Sequence, residues 1–277
     1  MNPSMKVPVT AIVFTLNEEN NISDCISSLN HFQEILVIDS GSLDSTLEIC
    51  DDLNVRVVDF RWNGLYPKKR QWTLDNVVFS TQWVMFIDAD ERCTTKLNSE
   101  IGSFISKKSE RFSAGEVKLN YYFSRRLLRH GIRIRKTVLL RPNKTFFGPI
   151  DDLEALGMGE LEGHYQPIIH GKIYRFKNGL DHNDNDGIDS WSERHIRYAR
   201  WEAFLLNDQI ARLQVRKTKS GKGRYLKITR HRGVVFFLVS YFLCFGFLDG
   251  KPGFNFAFGR AWYYWLSSAI ASERKVE

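Results

Sequence analysis

The chain has 277 residues, 43% of them hydrophobic, which suffices for one substantial α/β domain with an appendage and excludes a disordered chain. Its formal charge of +7 is gathered in acid-free stretches with no recognised nucleic-acid module beside them, so a nucleic-acid partner is not expected. Cys25, Cys50, Cys93 and Cys244 are scattered without Cys-x-x-Cys or zinc spacing, which excludes a disulfide framework and fits reduced thiols in a cytoplasmic protein.

Residues 7–14 form an apolar run of strand length with no signal-peptide pattern before it. The run stops at Thr15-Leu16-Asn17-Glu18-Glu19-Asn20, and Ile22, Cys25, Ile26 and Leu29 then follow at helical spacing. A second strand is predicted over 35–38, ending in Asp39-Ser40-Gly41-Ser42, with a helix opened by Asp44 and lined by Leu47 and Ile49. Residues 55–58 read as a third strand. The basic run Lys68-Lys69-Arg70-Gln71 leads into a helix through 74–78, and the strand over 83–87 ends in Asp88-Ala89-Asp90-Glu91. Strands alternating with helices imply a parallel sheet covered on both faces, whose ligands bind outside the carboxyl ends of the strands. Three acid-bearing loops fall there. Neither Gly-x-Gly-x-x-Gly nor a Gly-Lys-Ser/Thr phosphate loop follows the first strand, which argues against a nicotinamide enzyme and a P-loop ATPase.

Carboxylates crowded at the end of an apolar run raise one another's pKa and oppose folding unless a positive charge sits among them. A divalent cation is the obvious occupant, since Mg²⁺ uses one or two protein carboxylates and leaves its other positions to water and substrate phosphates. The same Asp-x-Asp is also a common loop opening or helix cap.

Together the segments 15–20, 37–46 and 83–91 resemble, in order and spacing, the three N-terminal signatures of family 2 (GT-A fold) inverting glycosyltransferases. The bacterial lipopolysaccharide core and surface-polysaccharide beta-glycosyltransferases are the nearest flavour. The resemblance is strong over about the first 95 residues and looser to about residue 205. It implies a GT-A-like, Rossmann-like nucleotide-diphospho-sugar transferase sheet flanked by helices over 1–205, with a donor half (about 1–95) and an acceptor half (about 96–205). By resemblance, Thr15, Asn17 and Glu18 line the nucleotide pocket, Asp39 with Ser40 and Gly41 faces the base, and Asp88 and Ala89 lie near the ribose. Asp90 is the metal ligand, with Asp88 and His182 as further candidates, for Mg²⁺ or Mn²⁺. Lys69 and Arg70 would stand beside the diphosphate, although the family has Lys-Asn or Arg-Asn where this chain has Arg70-Gln71. The donor implied is a nucleoside diphosphate sugar, UDP-sugar favoured.

An inverting transferase needs a group that takes the acceptor hydroxyl's proton. The family's Val-His-Glu-like element corresponds here to 159–167, upstream of Gly171 and His182. Glu162 is the first choice, with Glu160 and His164 behind it, because a strand would place all three on one face. Asp152, in the cluster with Asp151 and Glu154, is a rival, and so is Asp184, which serves equally as a cap for the helix that follows. Tyr198, Ala199, Glu202 and Ala203 lie at the spacing of a packing helix.

Residues 206–277 form a basic, aromatic, helical extension. Between 209 and 248 there are nine basic residues and no acidic one, and 124–144 is a second acid-free basic stretch. The apolar piece at 234–248 is too short to span a bilayer, for which about 20 residues are usual. With its Trp and Tyr neighbours it reads as an in-plane or re-entrant attachment to an anionic membrane surface, against a buried hairpin or homo-oligomer contact. The acceptor expected is lipid-linked or a polysaccharide, at the cytoplasmic face of the inner membrane. The alternatives are a non-catalytic basic membrane- or nucleic-acid-binding protein and a nucleotidyltransferase.

Overall fold

A computed structural model describes residues 6–161, 166–218 and 231–273. Strand and helix alternate at first: β1 (Val7–Thr15), α1 (Ile22–Ser28), β2 (Phe32–Asp39), α2 (Thr46–Asp52), β3 (Arg56–Asp59), α3 (Lys69–Asn76) and β4 (Val84–Asp88). Then come β5 (Glu91–Cys93), α4 (Thr95–Lys107), β6 (Ala114–Phe123), β7 (Arg126–Leu127), β8 (Arg135–Leu140), β9 (Thr145–Phe146), β10 (Ile168–Ile169) and β11 (Ile173–His182). Helices close the chain: α5 (Ile188–Asn207), α6 (Gln209–Thr218), α7 (Arg232–Phe237) and α8 (Gly250–Glu273).

The main sheet runs β3-β2-β1-β4-β8-β6-β11-β5. Its first four strands are parallel, as helix crossovers require. β1 is buried on both faces, and its side chains alternate between two cores. Val9, Ala11 and Val13 join Met85 and Ile87 on one side, while Ile12 and Phe14 join Val84 and Phe86 on the other. The expected parallel order stops at β8, which is antiparallel to both β4 and β6. The short connection from β6 through β7 to β8 is a hairpin, and a hairpin reverses strand direction. The expected α/β sheet flanked by helices and the helical C-terminal extension are both present.

Register sets the site. Thr15 pairs with Asp39 and Phe14 with Asp88, so the carboxyl ends of β1, β2 and β4 finish level. β11 brings the second half of the chain to the same edge, since His182 pairs with Glu91 on β5 and with Tyr121 on β6.

Among the described residues, 159–161 and 166–167 are not in a strand. Glu160 lies in a turn after Met158, where Gly159 takes a φ of 51°. Glu162 and His164 lie outside the described residues, as do Lys219, Lys222, Arg224, Lys227 and Arg230 of the basic run. In the extension, Ala199, Phe236, Tyr263 and Tyr264 make a separate core in which α5, α7 and α8 meet. No single helix among the described residues is long and apolar enough to cross a membrane.

Candidate active site

The loops after β1 and β2 build each other. Asp39 is buried and folds its own loop, one carboxylate oxygen accepting from the Gly41 and Ser42 amides at 2.7 and 2.9 Å. Gly41 turns at φ +90°, and a Cβ there would strike the Arg61 guanidinium. Ser42 Oγ accepts from the Asn17 amide at 2.8 Å, Asn17 Oδ1 accepts from the Leu43 amide at 2.8 Å, and Thr46 Oγ1 accepts from the Glu18 amide at 2.8 Å. Asn17 itself sits at φ +55°, a conformation asparagine tolerates better than most residues. The amide of Ser40 donates to the Thr15 carbonyl at 3.2 Å, and that of Ala89 to the Phe14 carbonyl at 3.3 Å.

Lys69, at the start of α3, is buried and donates to the Thr15 carbonyl at 2.9 Å. Burial pulls its pKa down, against the carboxylates of Glu160 and Asp39. Glu160 lies 3.7 Å from Lys69 and accepts from Ser40 Oγ, which places it on the donor side of the site. Gln71 faces away from the acidic loop, accepting from the Phe147 amide at 2.8 Å and donating to Asp75 at 2.7 Å.

Asp88 has a cation on each oxygen: Arg70 at 2.8 Å and Lys136 at 2.6 Å. Burial alone would push its pKa up, but Lys136 and then Arg70 override this and hold Asp88 well below the usual carboxylate range. Lys136 also bridges to Glu91 at 2.8 Å, and Glu91 accepts from the Asp88 amide at 3.0 Å. Lys136 escaped the sequence reading because it was counted among surface bases. Strand phase gave no signal for it, because Val138, Leu139 and Leu140 are all fully buried and the ladder shifts register at Val138.

Asp90 Oδ1 and His182 Nδ1 approach to 3.4 Å. Both atoms are buried, and neither has a well-formed hydrogen bond among the described residues. Burial would disfavour both charges; each partner offsets it for the other, lowering the pKa of Asp90 and raising that of His182. Two orphaned donor atoms, one hard oxygen and one imidazole nitrogen, suit a divalent cation that takes its other ligands from water and diphosphate. Asp88, the further candidate ligand, has its two oxygens paired with Arg70 and Lys136. Among the described residues no group of three or more His, Cys, Asp and Glu side chains is disposed to hold a metal.

Glu18 lies close by, and burial followed by the charge of Asp90 pushes its pKa up to about 7. Asn21, also missed by the sequence reading, joins the two halves: it donates to Glu18 at 2.9 Å and accepts from the Asn185 amide at 2.9 Å. Asp184 is ion-paired with Arg194 in this same knot. Asp152 is placed elsewhere. Its side chain is 0% exposed, paired with Lys68 at 2.8 Å, and accepts from Trp201 Nε1 at 2.8 Å. A carboxylate sealed this way ties α3 to α5 and has no path to an acceptor hydroxyl, which corrects its candidacy as a base.

Residues 10–147 match the family described as "Glycosyl transferase family 2". An uncharacterized glycosyltransferase of Rickettsia conorii is 32% identical over 121 residues, 43% of this chain and 42% of that protein. The "Lipopolysaccharide core biosynthesis glycosyltransferase LpsC" of Rhizobium meliloti is 32% identical over 110 residues, 38% of this chain and 40% of that protein. The matched region thus spans about two fifths of these relatives' length. Among solved structures, the mannosyltransferase PcManGT of Pyrobaculum calidifontis, in complex with GDP-Man and Mn²⁺, aligns over 99% of this chain and 89% of that one, with a TM-score of 0.47 at 13% identity. Glucosyl-3-phosphoglycerate synthase of Mycobacterium tuberculosis, with Mn²⁺ and UDP, aligns over 69% and 77%, with a TM-score of 0.40 at 19% identity. Over residues 10–147 the chain therefore belongs to glycosyl transferase family 2.

Proposed function

We propose that the chain transfers a sugar, with inversion at the anomeric carbon, from a nucleoside diphosphate sugar to a lipid-linked or polysaccharide acceptor of the cell envelope. UDP-sugar is the first donor to test, and the cytoplasmic face of the inner membrane is the proposed place of action. The observation that carries the reading is the orphaned Asp90–His182 pair, 3.4 Å apart at the sheet edge where β1, β2 and β4 end. The description of the LpsC relative supports the envelope setting.

Asp90 and His182 would hold a divalent cation, Mg²⁺ or Mn²⁺, which when bound offsets the charge that develops on the leaving diphosphate. Lys136 and Arg70 keep Asp88 ionised, so that it accepts hydrogen bonds from donor hydroxyls. The stitched loops after β1 and β2 form the floor on which the nucleotide rests. Glu160, between Ser40 and Lys69, is already committed to that floor. Glu162 therefore stays the first choice for removing the acceptor's proton, with His164 next; Asp184 is the weaker choice because Arg194 neutralises it.

The test is release of nucleoside diphosphate from a panel of nucleotide sugars, with Mn²⁺ or Mg²⁺ and then with excess chelator. The reading expects turnover of at least one donor that stops in chelator. Turnover of no donor under any of these conditions, by protein shown to be folded, would overturn it.

A further inference from the structure

We infer that the β6–β8 hairpin and the bend between α7 and α8 form one docking surface for an anionic lipid bilayer, with four hairpin arginines as its headgroup contacts. The surface itself stands on the observations below; only its service to catalysis rests on the function just proposed.

The two pieces are one structural unit. The Gly131 amide donates to the Cys244 carbonyl at 2.8 Å, and the Ile132 amide to Ser240 Oγ at 3.3 Å. Asp249 accepts from the Arg129 and His130 amides at 3.1 and 2.8 Å and meets His130 Nδ1 at 3.1 Å; partial burial would raise its pKa, but the His130 side chain and then the two amides lower it. Asp249, the one acidic residue within 124–144 and 232–251, is thereby turned onto the hairpin. Arg125, Arg126, Arg129 and Arg133 are exposed, and none is ion-paired with a described residue.

Apolar side chains stand beside these charges. Leu127, Phe242, Leu243, Phe245, Phe247 and Leu248 are all exposed, Leu243 to 72% and Phe245 to 55%. Scattered exposed apolar residues need no explanation, but a contiguous set rimmed by arginine does. Phe245 is informative because it holds a left-handed backbone, φ +60°, while the residue stays 55% exposed and its ring meets the likewise exposed Phe247 ring at 6.1 Å. That conformation is costly for a side chain with a Cβ. The next residue fixes the turn, since a Cβ on Gly246 would strike the Ser240 carbonyl. The turn is built to present Phe245 outward.

Arginines and apolar rings on one surface match the two layers of an anionic membrane interface, headgroup and acyl boundary. The helices either side of the bend meet at 73° and neither spans alone, a shape suited to shallow insertion. Arg232 does not belong to this set. It is turned inward to Glu202 and lies 4.1 Å from the Tyr264 ring. From the surface, α8 runs back to the site: Phe256 packs on Tyr121 at 5.4 Å, and Tyr121 packs on His182 at 5.2 Å.

The experiment is sedimentation of the full chain with vesicles of phosphatidylcholine alone and of phosphatidylcholine with phosphatidylglycerol in equal parts. Wild type is expected to bind the anionic vesicles at least about 10-fold more tightly than the neutral ones at about 0.15 M salt. Joint replacement of Arg125, Arg126, Arg129 and Arg133 by Gln is expected to weaken this on the order of 100-fold at about 0.15 M salt. L243S with F245S is expected to abolish the binding that survives about 0.5 M salt. Phe245→Gly removes the ring while suiting the positive φ, so a loss of binding there cannot come from misfolding. Wild type indifferent to anionic vesicles, or the four-arginine variant binding undiminished, overturns the proposal. A dimer in light scattering that L243S with F245S dissociates while vesicle binding persists overturns it too, and makes the face a self-interface. Vesicle binding without nucleotide release refutes the transferase reading alone, and nucleotide release without vesicle binding refutes the surface alone.

Discussion

In the loops after β1 and β2, backbone amides and short polar side chains bond one another, Asn17 to Ser42 and Leu43, Glu18 to Thr46, Asp39 to Gly41 and Ser42. The helices of the extension are joined differently, by a buried Arg232–Glu202 pair beneath Tyr264 and by aromatic contacts running from Tyr263 to Phe236. The first arrangement spreads its stability over many hydrogen bonds worth about 1 kcal/mol each. The second concentrates it in a buried charge pair whose rupture typically costs about 3–5 kcal/mol. The contrast teaches that the donor floor should yield gradually to substitution, while the extension should fail at a few points. Between them lies the acidic cluster, where a charge network does what hydrogen bonds alone could not.

The largest effect is expected at that boundary. Asp90→Asn should lower nucleotide-sugar turnover by about 1000-fold or more while leaving the melting temperature of the metal-free protein near that of wild type. Turnover within a few-fold of wild type would remove Asp90 from the site.

Lys136→Met leaves Glu91 buried without its cation, while Asp88, whose side chain is 40% exposed, keeps Arg70, so chemical denaturation should show a loss of about 3 kcal/mol. Asp88 stays ionised through Arg70, so nucleotide affinity should change by no more than a few-fold in protein that remains folded. A loss below about 1 kcal/mol would mean that Lys136 is a surface base after all.

Arg232→Met should cost about 3 kcal/mol by stranding Glu202, yet folded protein should keep its donor turnover. Restoration of stability by the double variant Arg232→Met, Glu202→Gln would locate the effect in the charge pair. Equal loss of turnover and stability would contradict the division drawn here.

The smallest effect is a change of pH slope. The folded pKa of Glu18 is raised to about 7 from 4.5, first by burial and then by Asp90. Between those values the folded chain keeps a proton that the unfolded chain has lost. This contribution to stability is complete below pH 4.5 and gone once the pH passes about 7. Glu18→Gln cannot lose that proton, so in chelator it should become more stable than wild type as pH rises, by up to about 3 kcal/mol. Parallel stability curves for the two proteins between about pH 5 and pH 8 would refute the assignment.

The level ends of β1, β2 and β4 were legible because each closes an apolar run, and strand ends are visible in sequence. Thr15, Asp39 and Asp88 are level for that reason. Lys136 was hidden by composition: within a stretch of eight basic residues nothing local separates the one that is buried, because the apolar residues after it are buried in both phases. Asp152 misled in the opposite way, since its acidic neighbours suggested an open cluster, whereas long-range folding seals it against Lys68 and Trp201. The extension was legible as helical and aromatic but not as a partner of the site. An aromatic run reads alike whether it meets lipid or protein, and here Phe256 meets Tyr121 while Phe245 meets solvent. The parallel expectation holds for β1 to β4, and the antiparallel β8 went unread because a hairpin over 124–134 leaves no crossover to read.

Calorimetric titration of UDP into wild type, Asp90→Asn and His182→Ala, each with and without Mn²⁺, tests most directly whether the Asp90–His182 pair is the cation seat of a nucleotide site. The account predicts that Mn²⁺ strengthens binding to wild type by at least about 10-fold and that either substitution abolishes this gain, leaving only weak metal-independent binding. An undiminished Mn²⁺-dependent gain in both variants would contradict it.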